Sequence, residues 1–517
     1  MYKIGIDVGG TNTDAVLCGE NHEILADVKR PTSDDIYSGI LASLKDLLAC
    51  SGVSPSEIRQ ATIGTTQCTN AIVERKNLAA FAVLRIGAPA STGIPPMIDW
   101  EEKLSRFCVG SDIIQGGYEF DGRTLSKFDE TACRRFFESV KGKAESIAIS
   151  CVFSTVRDED ERRAAAIARE ILGDIPVSIS SEIGSMGLIE RENATILNAA
   201  LCSVARKFTN SFEKSLKAEG ITNADIYLSQ NDGTLMTLEN ARRYPILTIA
   251  CGPTNSICGA GWLSGTKNAM TIDVGGTTTD IGVIKNGFPR ESSTAVTIGG
   301  VRTNFRMPDI LSVGLGGGSI VRQYPDGTVT VGPDSVGFEI TEKALVFGGS
   351  TITATDIAVR LGMAEIGDRT LTECIPLELA EKAMQEIRTI AEHAIDDMRV
   401  SSDEVELILV GGGSIILPDE LSGASSVHKP AHFGVANAVG SAISQVSGTS
   451  EGLYDYSRVP REKALERARS EAVRIAVESG AQESTVEIIE VEETPLAYHP
   501  GNTSRIKVKA AGKLAAH

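Results

Sequence analysis

Short apolar runs that stop at glycine punctuate this chain. Ile4 and Ile6 lead into DVGGTNTD (7–14), and Ala15, Val16 and Leu17 follow it. Met270 and Ile272 lead into DVGGTTTD (273–280), and Ile281, Val283 and Ile284 follow. Each pattern predicts strand, tight turn, strand, and the two octets differ only at Asn12 and Thr278. A third run, Val405, Leu407, Ile408, Leu409 and Val410, reads as a buried strand that halts at Gly411–Gly412–Gly413–Ser414. Residues 252–264 and 433–447 mix small residues with an apolar stripe, a pattern that permits close packing. Residues 461–481 place Ala464, Leu465, Ala468, Ala472, Val473 and Ile475 in a helical rhythm, while 484–498 and 505–514 alternate like strands. That last part is expected to form a small α+β appendage, either a docking surface or a cap on the second half of the chain.

The duplicated tip carries its own chemistry. Gly9–Gly10 and Gly275–Gly276 lack Cβ atoms, so backbone N–H groups there can approach an anion closely. Thr11, Thr13, Thr277 and Thr279 add hydroxyls suited to phosphate oxygens. Asp7 and Asp273 would repel phosphate unless a divalent cation lay between, and hard carboxylates beside phosphate are how Mg2+ is usually held. Asp280 is a candidate second carboxylate for the metal, or a residue that orients Thr277. One such turn alone is equally well a plain glycine hairpin; two copies predict related lobes that clamp one nucleotide.

Other polar clusters stay open on residue pattern alone. Gly64–Thr65–Thr66 reads either as hydroxyls for a ligand or as a helix cap. Glu190–Arg191–Glu192–Asn193 reads as a cleft lining or as a solvated first helical turn. Gly316–Gly317–Gly318–Ser319, beside Gly314, suggests a close backbone approach, and Asp356 a helix cap. His428 and His432 are the only neighbouring histidines of six, and Pro430 between them breaks any helical presentation to a metal.

Composition narrows the classes. The 517 residues suffice for two or three domains, with 42% hydrophobic and 23% charged residues as in ordinary globular proteins. Lys+Arg 50 against Asp+Glu 68 gives a net charge of −18, which argues against a nucleic-acid or anionic-membrane partner. Ten scattered cysteines without a CxxC pair argue against zinc, iron–sulfur or a disulfide framework. The start MYKIGIDVGG lacks the features of a signal peptide, and a cytoplasmic protein is expected.

The two phosphate hairpins followed by the later glycine turn resemble the actin, Hsp70 and hexokinase ATPases. The resemblance implies an α/β fold of two duplicated actin-like (ribonuclease H-like) lobes with a nucleotide cleft between them, hinged by crossing helices near 252–264 and 433–447. The expected divisions are residues 1–265, with an insertion, and 266–448, followed by the appendage 449–517. It also places Gly411, Gly412 and Gly413 against the adenosine. A finer resemblance, over roughly residues 2–445, is to the A subunit of the hydantoinase/oxoprolinase family, of the N-methylhydantoinase A type. It rests on ATIGTTQCTNAIVERKNLAAFAV (61–83), VSISSEIGSMGLIERENATILNAAL (177–201), CGPTNSICGA (251–260), MTIDVGGTTTDIGVIKNG (270–287), DILSVGLGGGSIVRQYPDGTVTVGPDSVG (309–337) and TITATDIAVRLG (351–362).

That family implies ATP and Mg2+ as cofactors, Asp7 and Asp273 as the catalytic and metal-placing residues, and Gly316 and Gly317 among the nucleotide contacts. It implies phosphorylation of a cyclic amide (a hydantoin, 5-oxoproline or a lactam), with a B-type partner subunit completing ring opening. No general base stands out. The chain departs from the family at Asn12, where phenylalanine is usual, and at Ser180–Ser181–Glu182, where Ser-His-Glu is usual. It departs again at Cys251–Gly252–Pro253–Thr254–Asn255, where Ser-Gly-Pro-Ala-Ala is usual. These changes leave room for another reading, an ATP-gated scaffold with little small-molecule turnover; a carbohydrate kinase fits the segments less well.

Overall fold

The computed structural model describes residues 2–32, 35–292, 295–496 and 502–515. Each predicted hairpin forms the start of a sheet. Strands Tyr2–Val8 and Asn12–Cys18 pair antiparallel, as do Ala269–Val274 and Thr279–Lys285. In both, a parallel strand lies on the other side of the first hairpin strand: Ile58–Thr65 in the first half, Val405–Val410 in the second. The same arrangement twice in one chain is the duplicated α/β architecture expected from the repeat. Ile4, Ile6, Ile63, Leu228 and Phe212 fill the core of the first half, and Ile272, Ile281, Leu407, Leu409 and Ile387 that of the second.

The two hinge helices are Cys251–Ser264 and Ala436–Ile443. The second is shorter than predicted: a 3-10 turn, Phe433–Val435, precedes it, and Gln445 already begins a strand. Each helix crosses over, the first packing on the second sheet and the second on the first, and they meet backbone to backbone. A Cβ on Gly259 would lie 1.9 Å from Ala436 O, and one on Gly440 would lie 1.9 Å from Asn255 O. Only glycine permits that approach, which is why the small-residue pattern marks the hinge.

An insertion supplies a separate four-stranded parallel sheet, ordered Cys108–Gln115, Phe81–Ala88, Ser146–Cys151, Val177–Ile179. The 31-residue helix Leu188–Ala218 ties it to the first lobe. At its start, Arg191, Glu192 and Asn193 are buried, which decides against a solvated turn. The Glu192 carboxylate accepts from Arg85 Nε at 2.7 Å and Ser150 Oγ at 2.6 Å, and Arg85 is fully buried. Removing one member of a buried ion pair strands the other in low dielectric, so Glu192→Ala is expected to cost about 3–5 kcal/mol. Denaturant unfolding followed by Trp100 fluorescence reports it, because Trp100 Nε1 donates to neighbouring Asn193 Oδ1 at 2.9 Å. An unchanged unfolding midpoint would show that the pair carries no such burden.

The C-terminal part does not cap the second half. Strands Gln445–Asp455, Thr503–Gly512 and Glu487–Pro495 extend the first sheet, which runs to nine strands. Helix Arg461–Glu478 covers them with Ala464, Ala468, Ala472 and Ala476 fully buried and with Leu465 and Val473 partly buried against the same core. No helix among the described residues is long and apolar enough to cross a membrane.

Candidate functional site

The hairpins close their turns in the same way. Gly9 N–H donates to Asn12 O at 3.0 Å, and Gly275 N–H to Thr278 O at 2.9 Å. Among the described residues the N–H groups of Gly10, Thr11, Gly276 and Thr277 have no hydrogen-bond acceptor, so each tip keeps two donors for a ligand. The tips face one another: a Cβ on Gly276 would lie 3.8 Å from Thr11 Cγ2.

The pleat separates the four threonines. Thr11 and Thr277, in the turns, stay accessible. Thr13 and Thr279, on the strands, are buried; Thr279 Oγ1 donates to Leu315 O at 2.6 Å and Thr13 Oγ1 lies 3.4 Å from Thr32 Oγ1. The other glycine turns brace the second hairpin. Gly317 N–H donates to Gly275 O at 3.0 Å and Gly318 N–H to Gly276 O at 2.8 Å, while a Cβ on Gly316 would strike Thr277 N at 2.6 Å. Gly411, at φ +81°, leaves Asp273 its place: a Cβ there would sit 2.2 Å from Asp273 Oδ1. Gly413 stands as close to Gly275 O, and Gly412 faces the Lys29 side chain of the first half.

Behind each tip stand two aspartates, directly opposite across the hairpin: Asp7 with Asp14, Asp273 with Asp280. Asp7 accepts from Asn255 Nδ2 at 3.3 Å and from Asn437 Nδ2 at 3.0 Å. Asn437 also donates to Asp14 at 2.9 Å, and Lys29 Nζ reaches both Asp14 oxygens at 2.9 Å. Burial, then the Asp14 charge, pushes the Asp7 carboxyl up to about 6, against the pull of the two amides. Burial raises Asp14 despite Lys29, raises Asp273 despite neighbouring Ser256, and brings Asp280 to about 6 despite the Ser312 hydroxyl. Each of these carboxyls is thus harder to ionise than an exposed one. Asp280 accepts from the Ser312 hydroxyl, and among the described residues it makes no hydrogen bond to Thr277.

Two models of one family match, the hydantoinase/oxoprolinase N-terminal region over residues 3–172 and hydantoinase/oxoprolinase over residues 191–365. The chain belongs to the hydantoinase/oxoprolinase family. It is 27% identical over 387 residues to the caprolactamase subunit alpha of Pseudomonas jessenii, covering 70% of this chain and 54% of that protein. It is 26% identical over 403 residues to the acetone carboxylase beta subunit of Xanthobacter autotrophicus, again 70% and 54%. The chain thus spans about half the length of these curated relatives. The crystal structure of the ATP-dependent caprolactamase from Pseudomonas jessenii superposes with a TM-score of 0.76 at 20% identity, covering 99% of this chain and 88% of that one. That likeness shows the actin-like ATPase fold.

Within this hydantoinase/oxoprolinase chain, the remaining candidates resolve one by one. Thr65 Oγ1 accepts from Gln67 N–H at 3.1 Å and so caps the helix start, while Thr66 Oγ1 donates to Val8 O at 3.3 Å and supports the first hairpin. Arg191 binds Cys151 O and Ser180 Oγ inside the insertion. Asp356 is fully buried and caps its helix through Thr353. His428 and His432 diverge, toward Glu406 and Asp27; His499 and His517 lie outside the described residues. The family departures scatter: Asn12 sits in the first turn, and Asn255 against Asp7. Ser181 lines a cavity of about 1070 Å3 apart from the hairpins, walled also by Asn304, Arg306, Lys507 and Lys509.

Sequence reading missed Asp14, Lys29 and Asn437 and noted Asn255 only as a family departure. Asp14 had a signal, since it occupies in the first octet the place of Asp280 in the second.

Proposed function

We propose that this chain is the ATP-binding subunit of a cyclic amide hydrolase, acting with a B-type partner subunit. The observation that carries the reading is the pair of hairpin tips that face each other, each with two unspent N–H donors and two aspartates behind. A triphosphate between them would be gripped from both sides. Asp7 and Asp273 suit Mg2+, which supplies charge neutralisation at the transferring phosphoryl group. Among the described residues no three His, Cys, Asp or Glu side chains converge to hold an ion unaided. Mg2+ commonly takes one or two carboxylates and leaves the remaining positions to phosphate and water.

A cyclic amide resists water because resonance lowers its electrophilicity. Transfer of the γ-phosphoryl group to the amide oxygen breaks the bond to ADP and forms an imidate phosphate. Water then adds at carbon, and the ring C–N bond breaks as nitrogen takes a proton. A second water attacks the carbonyl carbon of the resulting acyl phosphate to release phosphate and the ring-opened acid. The caprolactamase relative favours a lactam and, being named a subunit, favours a partner. The acetone carboxylase relative favours a second reading, in which the acceptor belongs to a carboxylation reaction. All ten cysteines are free thiols, in keeping with a reducing cytoplasm.

The test uses caprolactam, hydantoin and 5-oxoproline labelled with 18O at the amide carbonyl, incubated with ATP, this chain and a candidate B-type subunit. Label is expected in the released phosphate together with ring-opened product by mass spectrometry, and no ring opening without the partner. Ring opening without label in phosphate would exclude amide-oxygen phosphorylation, and robust ring opening by the lone chain would exclude the division of labour.

A further inference from the structure

We propose that Asn255 and Asn437 are positioning residues of the nucleotide site, holding the Asp7 carboxylate from both crossing helices so that its orientation follows the seating of the two lobes. The inference rests on the reading that Asp7 faces the nucleotide.

The two oxygens of Asp7 are divided between two helices. Oδ1 takes the Asn255 amide at 3.3 Å, from helix Cys251–Ser264, and Oδ2 takes the Asn437 amide at 3.0 Å, from helix Ala436–Ile443. The same Asn437 nitrogen reaches Asp14 Oδ2 at 2.9 Å, so one –NH2 group binds both carboxylates that face each other across the hairpin. Asn437 Oδ1 in turn accepts from Ala438 N–H at 2.9 Å, which fixes the amide's orientation.

Both donors are neutral. A lysine or arginine at either position would cancel the negative charge; an amide fixes the carboxylate and leaves its charge for a cation. Space for Asn255 is specifically provided: a Cβ on Gly64 would lie 2.2 Å from Asn255 Nδ2 and 2.5 Å from Asp7 Oδ1. Asn255 is fully buried, and its Oδ1 has no partner among the described residues. An amide that leaves its oxygen unsatisfied in the interior is poorly explained as a core residue; its donor end accounts for it. Its neighbour on the helix, Ser256, stands against Asp273 of the other hairpin. Consecutive residues of one helix therefore touch the principal aspartate of each lobe. The helices meet through Gly259 and Gly440, where no side chain cushions a shift. Rotation of the second lobe would therefore move the Asn255 helix, packed on its sheet, against the Asn437 helix, which stays with Asp7 on the first sheet.

The test is a double-mutant cycle on ATP turnover, with calorimetric binding of a non-hydrolysable ATP analogue and thermal melting as companions. Asn437→Ala is expected to lower kcat by roughly 10- to 100-fold, as expected for loss of a hydrogen bond to a charged group, with analogue affinity and melting little changed. In the Asp7→Asn background the same substitution is expected to change kcat no further. Asn437→Asp keeps the shape but replaces the donor with a third carboxylate, and is expected to be at least as impaired. Asn255→Ala, which removes only the contact to Oδ1, is expected to show a smaller loss on the same cycle and serves if the Asn437 variants fold poorly. Parent-like kcat in Asn437→Asp, or equal losses in the parent and Asp7→Asn backgrounds, overturns the proposal. Parent-like turnover in Asp7→Asn overturns instead the reading of the hairpin on which it rests.

Discussion

Asp7→Asn is expected to melt higher than the parent protein at pH 7.5 without nucleotide, and to turn over ATP at least about 100-fold more slowly. The stability half follows from the carboxyl's position at about 6, above the ordinary 3.8. A raised value means that the folded state holds the proton more tightly than the unfolded one. The stability this contributes is complete below about pH 4 and is lost as pH rises through about 6. At pH 7.5 the ionised Asp7 therefore burdens the fold by roughly 3 kcal/mol relative to low pH. Asparagine carries no such charge, and the Asn255 amide can turn its unpartnered oxygen toward the new –NH2. The melting difference between variant and parent should thus be larger at pH 7.5 than at pH 5, which a pair of thermal scans measures. Equal differences at both pH values would mean that Asp7 is not the group that titrates. The activity half rests on the proposed nucleotide site, where losing a preorganised charge beside the phosphates would cost about 10²–10³ in rate.

The second large effect concerns the other tip. Gly276→Val is expected to fold normally, since among the described residues Thr11 Cγ2 at 3.8 Å is the only atom within 4 Å of an added Cβ and the backbone there is not left-handed. Nucleotide affinity should nevertheless fall by roughly 10- to 100-fold, because the side chain would hold phosphate away from the N–H groups of Gly276 and Thr277. Calorimetry with a non-hydrolysable analogue, beside a melting curve, separates the two outcomes. Unchanged affinity in a well-folded variant would remove the second hairpin from the nucleotide site.

Much of this frame is legible in the sequence because its signals are local. The octets announce themselves by repetition, and the hinge helices by small residues at Gly259 and Gly440, where backbone meets backbone. What escapes is long-range. Alternation shows that residues 505–514 form a strand; nothing in it shows that Lys507 pairs with Glu451 on one side and Glu492 on the other within the first sheet. The residue pattern leaves Arg191 and Glu192 open between a cleft lining and a solvated turn, because their partners Ser180, Cys151, Arg85 and Ser150 come from separate strands and loops of the insertion. Asn255 and Asn437 carry no spacing signal at all. An asparagine in a helix is ordinary until the fold sets an aspartate against it from more than 200 positions away.

The nine-stranded sheet also bears on how the protein comes off the ribosome. Its first three strands are made from residues 2–31, yet strand Thr234–Thr237 finds its parallel neighbour only in residues 445–455, and the far edge only in residues 487–512. During synthesis the first lobe therefore waits, one flank open, while the whole second lobe is translated. An unpaired strand edge in a nascent chain is a template for pairing with other chains. The demand for protection by chaperones should accordingly be greatest midway through translation, and should end when the C-terminal strands emerge and close that flank.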